Sequence, residues 1–532
     1  MKSILITLVL WSSVCVGDII PSTNRITWSA GVLGGIPTVA TGVNVMDYGA
    51  VADGVTDDYV AVSNAIRHCP TTQAVYFPGG TYKIGSVITI GSGGLTNRYV
   101  LRGAGSTQTT LLISAGANGS IYFPAGSTAG SNTLASGYTK GSTQVIANAT
   151  TGLAVGQQCE IGQTNDYTAV GNIPSSINYM TQGNQITGIS GNTITLLTPL
   201  HWTFDATNTP FIKTWASYVT NSGVENMKLI VSGSALAGIY MWKAMDCWVT
   251  GCEITNYTGQ SGILLDEAYR CEVRTNILHS YMTAGSRYGA NATHGATDCL
   301  FEDNITGLTS SGIVIQFEAN GCVVAYNYYY KSWDQSTLAF SFHGHGGNAT
   351  WNLFEGNVGN GAMGVDTTWG SNPRNTFVRN WATASSPGAT SVRYGILLDT
   401  PNYYENVVGN ILVLPSDGGA SLGNPVPLKI GADANILATA IIDGNYEFRT
   451  NTLVSAWADH SIPSSYYLSG KPSWFGNLAW PPIGPDICTN NGITNNILIP
   501  AQARYLGISF PYTNFPVLSI NGTLSAGSIR SQ

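Results

Sequence analysis

Gly262-Ile-Leu-Leu-Asp-Glu-Ala-Tyr-Arg-Cys-Glu-Val-Arg-Thr-Asn276 is one copy of a pattern that returns eight times between Gly238 and Tyr446. The last residue of the second strand reads Cys252, Asn276, Asn304, Asn327, Asn357, Asn380, Asn410 and Asn445. Three residues earlier stand Val249, Val273, Phe301, Val324, Phe354, Phe377, Val407 and Ile442, an unbroken apolar column. Five residues earlier stand Cys247, Cys271, Cys299, Cys322, Asn352, Asn375, Glu405 and Ala440. The anchors lie 24, 28, 23, 30, 23, 30 and 35 residues apart, so short strands are fixed while loops vary, as in a solenoid. Columns spaced by two are strands with alternate residues inward. Asn at each bend is expected to take the left-handed conformation and to hydrogen-bond its equivalent in the next coil. The expected fold is all-β, a right-handed parallel β-helix.

Val43-Asn-Val-Met-Asp-Tyr-Gly-Ala-Val-Ala-Asp-Gly-Val-Thr-Asp-Asp58, together with the repeat, resembles the pectate-lyase-like superfamily, in the branch of rhamnogalacturonases and polygalacturonases. The resemblance covers most of the chain. It implies that the opening segment covers the N-terminal end of the solenoid, and that a polysaccharide binds along its outer face. The Asn-Thr-Asp and Arg-Ile-Lys motifs of polygalacturonases are absent from the repeat.

The remaining chain is divided accordingly. Lys2 followed by the apolar run Ile4 to Trp11 and small residues reads as a secretory signal peptide over about 1–17, so a secreted protein is expected. An extended leader follows over 18–42, then an N-terminal cap and first coils over 43–126, with an amphipathic helix around Asp57 to His68. In that helix Asp57 and Asp58 favour the N-terminus, and Val60, Ala61 and Ile66 can face the core. Residues 127–215 break the rhythm with short runs separated by Gly and Asn, an inserted β subdomain. The main solenoid spans 216–446, and 447–532, with Trp457, Trp474, Phe475 and Trp480, is expected to wrap over its far end.

Only 10% of residues are charged and 63 are glycine, which suits a polar-coated β protein. A net charge of −7 argues against nucleic acid, and no later apolar run is long enough to span a membrane. Cys15 aside, eight of the nine cysteines remain in the exported chain; the four on successive coils are expected to stack as buried thiols. No metal site is expected from them, because one row lacks the tetrahedral spread of zinc ligands.

Aligned on its first strand, the repeat offers an outward column of Trp242, Asp266, His294, Gln316, His343, Asp366 and Asp399. Such a column on a rigid scaffold beside variable loops is a candidate site. Asp266 and Asp366 are four coils apart, so it divides into Asp266, Glu267 and His294, and His343, Asp366 and Asp399, with His345 and Glu318 reaching in from turns. Trp333, Trp369 and Tyr394 flank the second cluster, suited to stacking on sugar rings. Glycoside hydrolysis by two carboxylates is the expected reaction: Asp366 as acid, Asp399 or Glu318 as base, His343 tuning Asp366. The first cluster, with Trp242 and Gln316, then contacts the polymer. The rivals are a uronate lyase, for which calcium and Arg287, Arg374 or Arg393 come into play, and a glycan-binding adhesin or tailspike-like protein. No cofactor is expected for hydrolysis, and the oligomeric state is left open.

Overall fold

The computed structural model describes residues 18–508 apart from 92–98, 115, 165–178, 234, 281–287, 332–339, 385–393, 414–425, 448–451, 456–460 and 488–497. The signal peptide, Trp333, Trp457, Arg287 and Arg393 lie outside the described residues.

The chain forms a right-handed parallel β-helix of three long sheets. The first has 12 strands, from Ala40–Asn44 to Ile441–Asp443; the second has 13, from Asp53–Asp57 to Thr452–Leu453; the third has 10, from Ile88–Thr89 to Val426–Ile430. From the coil that begins with Gln73–Phe77 to the one that ends with Val426–Ile430, each coil contributes one strand to each sheet, paired parallel with its neighbours. The apolar column read from the sequence is the inward row of the first sheet, fully buried from Val224 to Val407. Phe354 and Phe377 stack within it at 4.6 Å between ring centres.

The Asn ladder is continuous. Each side-chain oxygen accepts from the backbone N–H of the preceding anchor, and each amide donates to a carbonyl of the coil before, from Asn276 through Asn445. Removing one Asn would leave buried donors unpaired, a cost of about 1–3 kcal/mol. The left-handed residue is the one before the Asn: Thr275, Asp303, Tyr326, Gly356, Arg379, Gly409 and Gly444 all have φ between 54° and 67°. That bend aims the Asn side chain along the solenoid axis. The cysteines at the second corner are free and buried, each thiol directed at backbone carbonyls. The row continues as Asn352, Asn375 and Glu405, whose side-chain oxygens accept from the backbone N–H of Cys322, Asn352 and Asn375.

Three peripheral parts differ from expectation or refine it. The N-terminal helix is Tyr59–His68, burying Ala61, Val62, Ala65 and Ile66, whereas Val60 is exposed. Asp58 does not cap it; its carboxylate accepts from Val51 and Ala52 N–H, while Asp57 takes Tyr59 and Gly85 N–H. A closed six-stranded barrel between Thr128–Ser136 and Phe211–Trp215 interrupts the solenoid and packs beside its turns. The C-terminal segment first folds back on the last coil, Thr452–Leu453 pairing antiparallel with Tyr446–Glu447 and Ser455 meeting Asn445, and its later described residues run along the outer face of the first sheet. There Phe475 and Trp474 pack on Tyr326, Tyr467 bonds Glu302 and Arg379 pairs with Asp486. The reason is visible in the column: outward Glu302, Tyr326 and Glu355 are buried groups that need partners. Among the described residues no helix is long and apolar enough to cross a membrane.

Candidate functional site

Strand register fixes which residues share the outer face of the third sheet. Trp242 pairs with Asp266 and Asp266 with Thr293, so Thr293 holds the place assigned to His294. Gln316 pairs with His345, and the step from Gly344 to Val365 and on to Leu398 carries the row to Asp366 and Asp399. The column is therefore Trp242, Asp266, Thr293, Gln316, His345, Asp366, Asp399. His343 lies two residues back on the same outward face, because Phe342 and the glycine at 344 are the inward pair of strand Phe340–His345. His345 thus stands on a strand, not in a turn. His294 is the left-handed corner residue after its strand, φ 50°, equivalent to Glu267 at 50° and Lys243 at 52°. Two alanines inward in its strand gave a weak apolar signal, and the sequence alignment slipped by one.

The second cluster comes together. His345 Nδ1 lies 2.7 Å from Asp366 Oδ2, and His343 Nε2 is 3.9 Å from the same oxygen. Phe340 stacks on the His343 ring at 4.2 Å, which buries it. Gly364 pairs with His343 on the next coil; with φ 135° and the Leu397 carbonyl against the position of a Cβ, only glycine fits there. No side chain then crowds His343 from that side. Burial pushes the His343 imidazole down to about 3 against the pull of Asp366, so it is neutral. Burial acts to raise the Asp366 carboxyl, but the His345 hydrogen bond and the two neighbouring imidazoles outweigh it and hold it below the usual carboxylate value. An ionised carboxylate only accepts, so Nδ1 of His345 carries the hydrogen, and in the neutral ring Nε2 is the nitrogen with the lone pair.

Asp399 lies one coil on but is turned to local partners, Thr367 Oγ1 at 3.1 Å and Thr400 N–H. Glu318 is buried in the turn after strand Ser311–Gln316, at a left-handed position. Trp369 is exposed in the turn after Asp366, and Tyr394 packs with Phe340 and Leu397 on the outer face. Tyr288 was not singled out from the sequence; burial and then the Asp366 charge push its phenol up to about 12, so it stays protonated. The ligand atoms of His343, His345 and Asp366 lie within 4.8 Å of one another. Two imidazoles and a carboxylate could hold a divalent transition metal there, although no metal was expected from the sequence.

The first cluster also comes together. Tyr240 donates to Asp266 Oδ2 at 2.6 Å and His294 Nδ1 lies 2.9 Å from Asp266 Oδ1. His294 stacks on Phe317, ring centres 5.7 Å apart. Burial acts to lower the His294 imidazole, but the bond to Asp266 and its charge win and raise it. Beside it Lys243 pairs with Glu267 at 3.3 Å, and the Trp242 indole donates to Glu267. Tyr240 was missed, although it lies two residues before Trp242 and so on the same face.

The chain shares 42% identity over 72 residues with mannuronan C5-epimerase AlgE6 of Azotobacter vinelandii, 13% of this chain and only 8% of that relative's length. Its fold is similar to the tailspike protein gp49 of Pseudomonas phage LKA1, with a TM-score of 0.51 and 14% identity over 74% of this chain and 79% of that one. A further similar structure, alginate lyase from a Paenibacillus species, has a TM-score of 0.37 and 11% identity over 73% and 99% of the two chains. Residues 42–309, half of the chain, match the family described as rhamnogalacturonase A/epimerase, pectate lyase-like. On the repeat, the three parallel sheets and this match, the chain belongs to the rhamnogalacturonase A/epimerase, pectate lyase-like family.

Proposed function

We propose that the protein is a polysaccharide-active enzyme that removes the proton from the carbon next to the carboxylate of a uronate residue, as a lyase or an epimerase. The observation that carries this reading is the His345–Asp366 hydrogen bond, which holds the imidazole by Nδ1 and leaves Nε2 as the nitrogen able to act as a base in the neutral ring. A base so oriented takes the C5 proton. In β-elimination the C5–H electrons form the C4–C5 double bond and expel the O4 substituent, which leaves with a proton; in epimerisation a proton returns to the opposite face. Tyr288, protonated and influenced by Asp366, is a candidate donor. The short stretch shared with an epimerase that acts at C5 supports the same chemistry.

Hydrolysis is the second reading, favoured by Asp366 and Asp399 on adjacent coils. It sits less well with Asp366 as the acid, because a carboxyl held below its usual value is ionised at neutral pH and has no proton to give. The deciding experiment treats acidic and neutral polysaccharides with the protein and with His345→Ala, reading ultraviolet absorbance, reducing ends and epimer content together. Unsaturated ends or changed epimer content, lost in the variant, support the proposal. Reducing ends without either would favour hydrolysis, and binding with no product would favour a glycan-binding protein.

A further inference from the structure

A cleft of about 450 Å³ opens at the corner where the inserted barrel meets the leader and the turns between the third and first sheets. It is separate from the His345–Asp366 site. Two cations line it. Lys140 Nζ sits 3.6 Å above the Trp351 ring and donates to the Arg25 carbonyl, tying down the leader. Arg374 lies 5.2 Å from the same ring and 4.1 Å from that of Tyr404. Among the described residues its guanidinium has no carboxylate or hydrogen-bond partner. Among the described residues neither cation forms an ion pair with a carboxylate. Burial keeps Glu405 well above the usual carboxylate value, and Asp205 is engaged by Thr207 N–H and Oγ1. His201 is committed to Asn320. Burial and then the charge of Arg374 lower Lys140 to about 8, so the two cations disfavour each other.

The lining also holds two buried polar atoms with no partner, Asn348 Oδ1 and Trp351 Nε1. Buried groups of this kind are satisfied in native proteins, by protein, water or ligand. A planar five-donor guanidinium beside an ammonium matches a carboxylate, and an acceptor and a donor nearby match hydroxyls. The indole N–H would serve any anion, but an acceptor such as Asn348 Oδ1 has nothing to take from a fully ionised inorganic anion, whereas a sugar acid brings a hydroxyl to it.

We propose that this cleft is a second carbohydrate-binding site that holds a uronate residue, its carboxylate between Arg374 and Lys140 and its hydroxyls on Asn348 and Trp351. The choice of sugar acid deepens the functional reading above, but the site itself stands on the unpaired cations. It gives the polymer a hold on the protein away from the reacting bond.

The test uses the full chain carrying His345→Ala, so that no turnover occurs, with a uronate tetramer as probe and its methyl ester as neutral control. Isothermal titration calorimetry is run on this protein and on its Arg374→Gln derivative, which loses the charge while Lys140 keeps the leader tied. The expected result is two tetramers per chain, reduced to one by Arg374→Gln, with circular dichroism and melting unchanged. The ester should fail to fill the cleft in either protein. One tetramer per chain, unaffected by Arg374→Gln, would overturn the cleft and leave the groove reading intact. One tetramer abolished by Arg374→Gln would keep the cleft and remove the groove. Equal loss of acid and ester binding would also overturn the proposal, because it would mark a structural role for Arg374.

Discussion

Two His–Asp pairs stand on one face of one sheet, and they differ in what surrounds the carboxylate. Asp266 has both oxygens occupied, by Tyr240 and His294, and its histidine is 46% exposed, with the Asp266 bond and charge shifting its imidazole towards the protonated form. Asp366 is shared by two imidazoles, one buried and neutral, and its histidine is only 15% exposed. The same residue types are thus set for different work. The first pair sets an exposed imidazole shifted towards the protonated form where an acidic polymer can reach it; the second holds its imidazole by Nδ1 and leaves Nε2 as the atom that can take a proton.

The difference can be broken by exchanging one side chain at a time. His345→Ala should lower kcat by about 10³-fold with little change in KM, the scale of a lost general base. Equal loss in His294→Ala would erase the distinction. Asp366→Asn should cost about 10²-fold, because the amide can donate to Nδ1 and favour the wrong tautomer. His294→Ala should leave kcat within about threefold and raise KM up to about tenfold, more at low salt than at high, as for a screened surface charge. A chelator should leave the rate unchanged, because the pair acts through its own hydrogen bond. Loss of activity restored by zinc would instead make His343, His345 and Asp366 a metal site.

A smaller effect separates the pairs by stability. His343 is lowered to about 3 and His201 to about 4 by burial, so below pH 6.5 the unfolded chain binds protons that the folded chain does not. Stability should therefore fall as pH drops from about 6.5 towards 4, by up to about 1.4 kcal/mol per pH unit for each histidine. The raised His294 has the opposite sign: its contribution is present at low pH and is lost as pH rises through its folded value. Melting curves of His343→Gln and His294→Gln against pH would show a flattened acid limb in the first and not in the second.

The solenoid was legible because its signals repeat: one Asn in the wrong place would not hide a ladder of seven. The outward column was less so. Strand ends are read from apolar alternation, and alternation fails where Ala290 and Ala292 or Gly344 supply the inward side. That shifted His294 and His343 by one and two positions, while Asp266, Asp366 and Asp399 were placed correctly. The cleft of Lys140 and Arg374 could not be read at all. Its walls come from the leader, the barrel and three successive turns, and nothing in sequence spacing says that those segments meet.

The most direct test of proton abstraction follows the hydrogen at C5. A uronate polymer deuterated at that carbon is incubated with the protein and with His345→Ala, and deuterium retention is measured beside reducing-end release. Loss of deuterium into solvent by the parent and not by the variant is the predicted result. New reducing ends with deuterium fully retained at C5 would contradict it and return the site to hydrolysis.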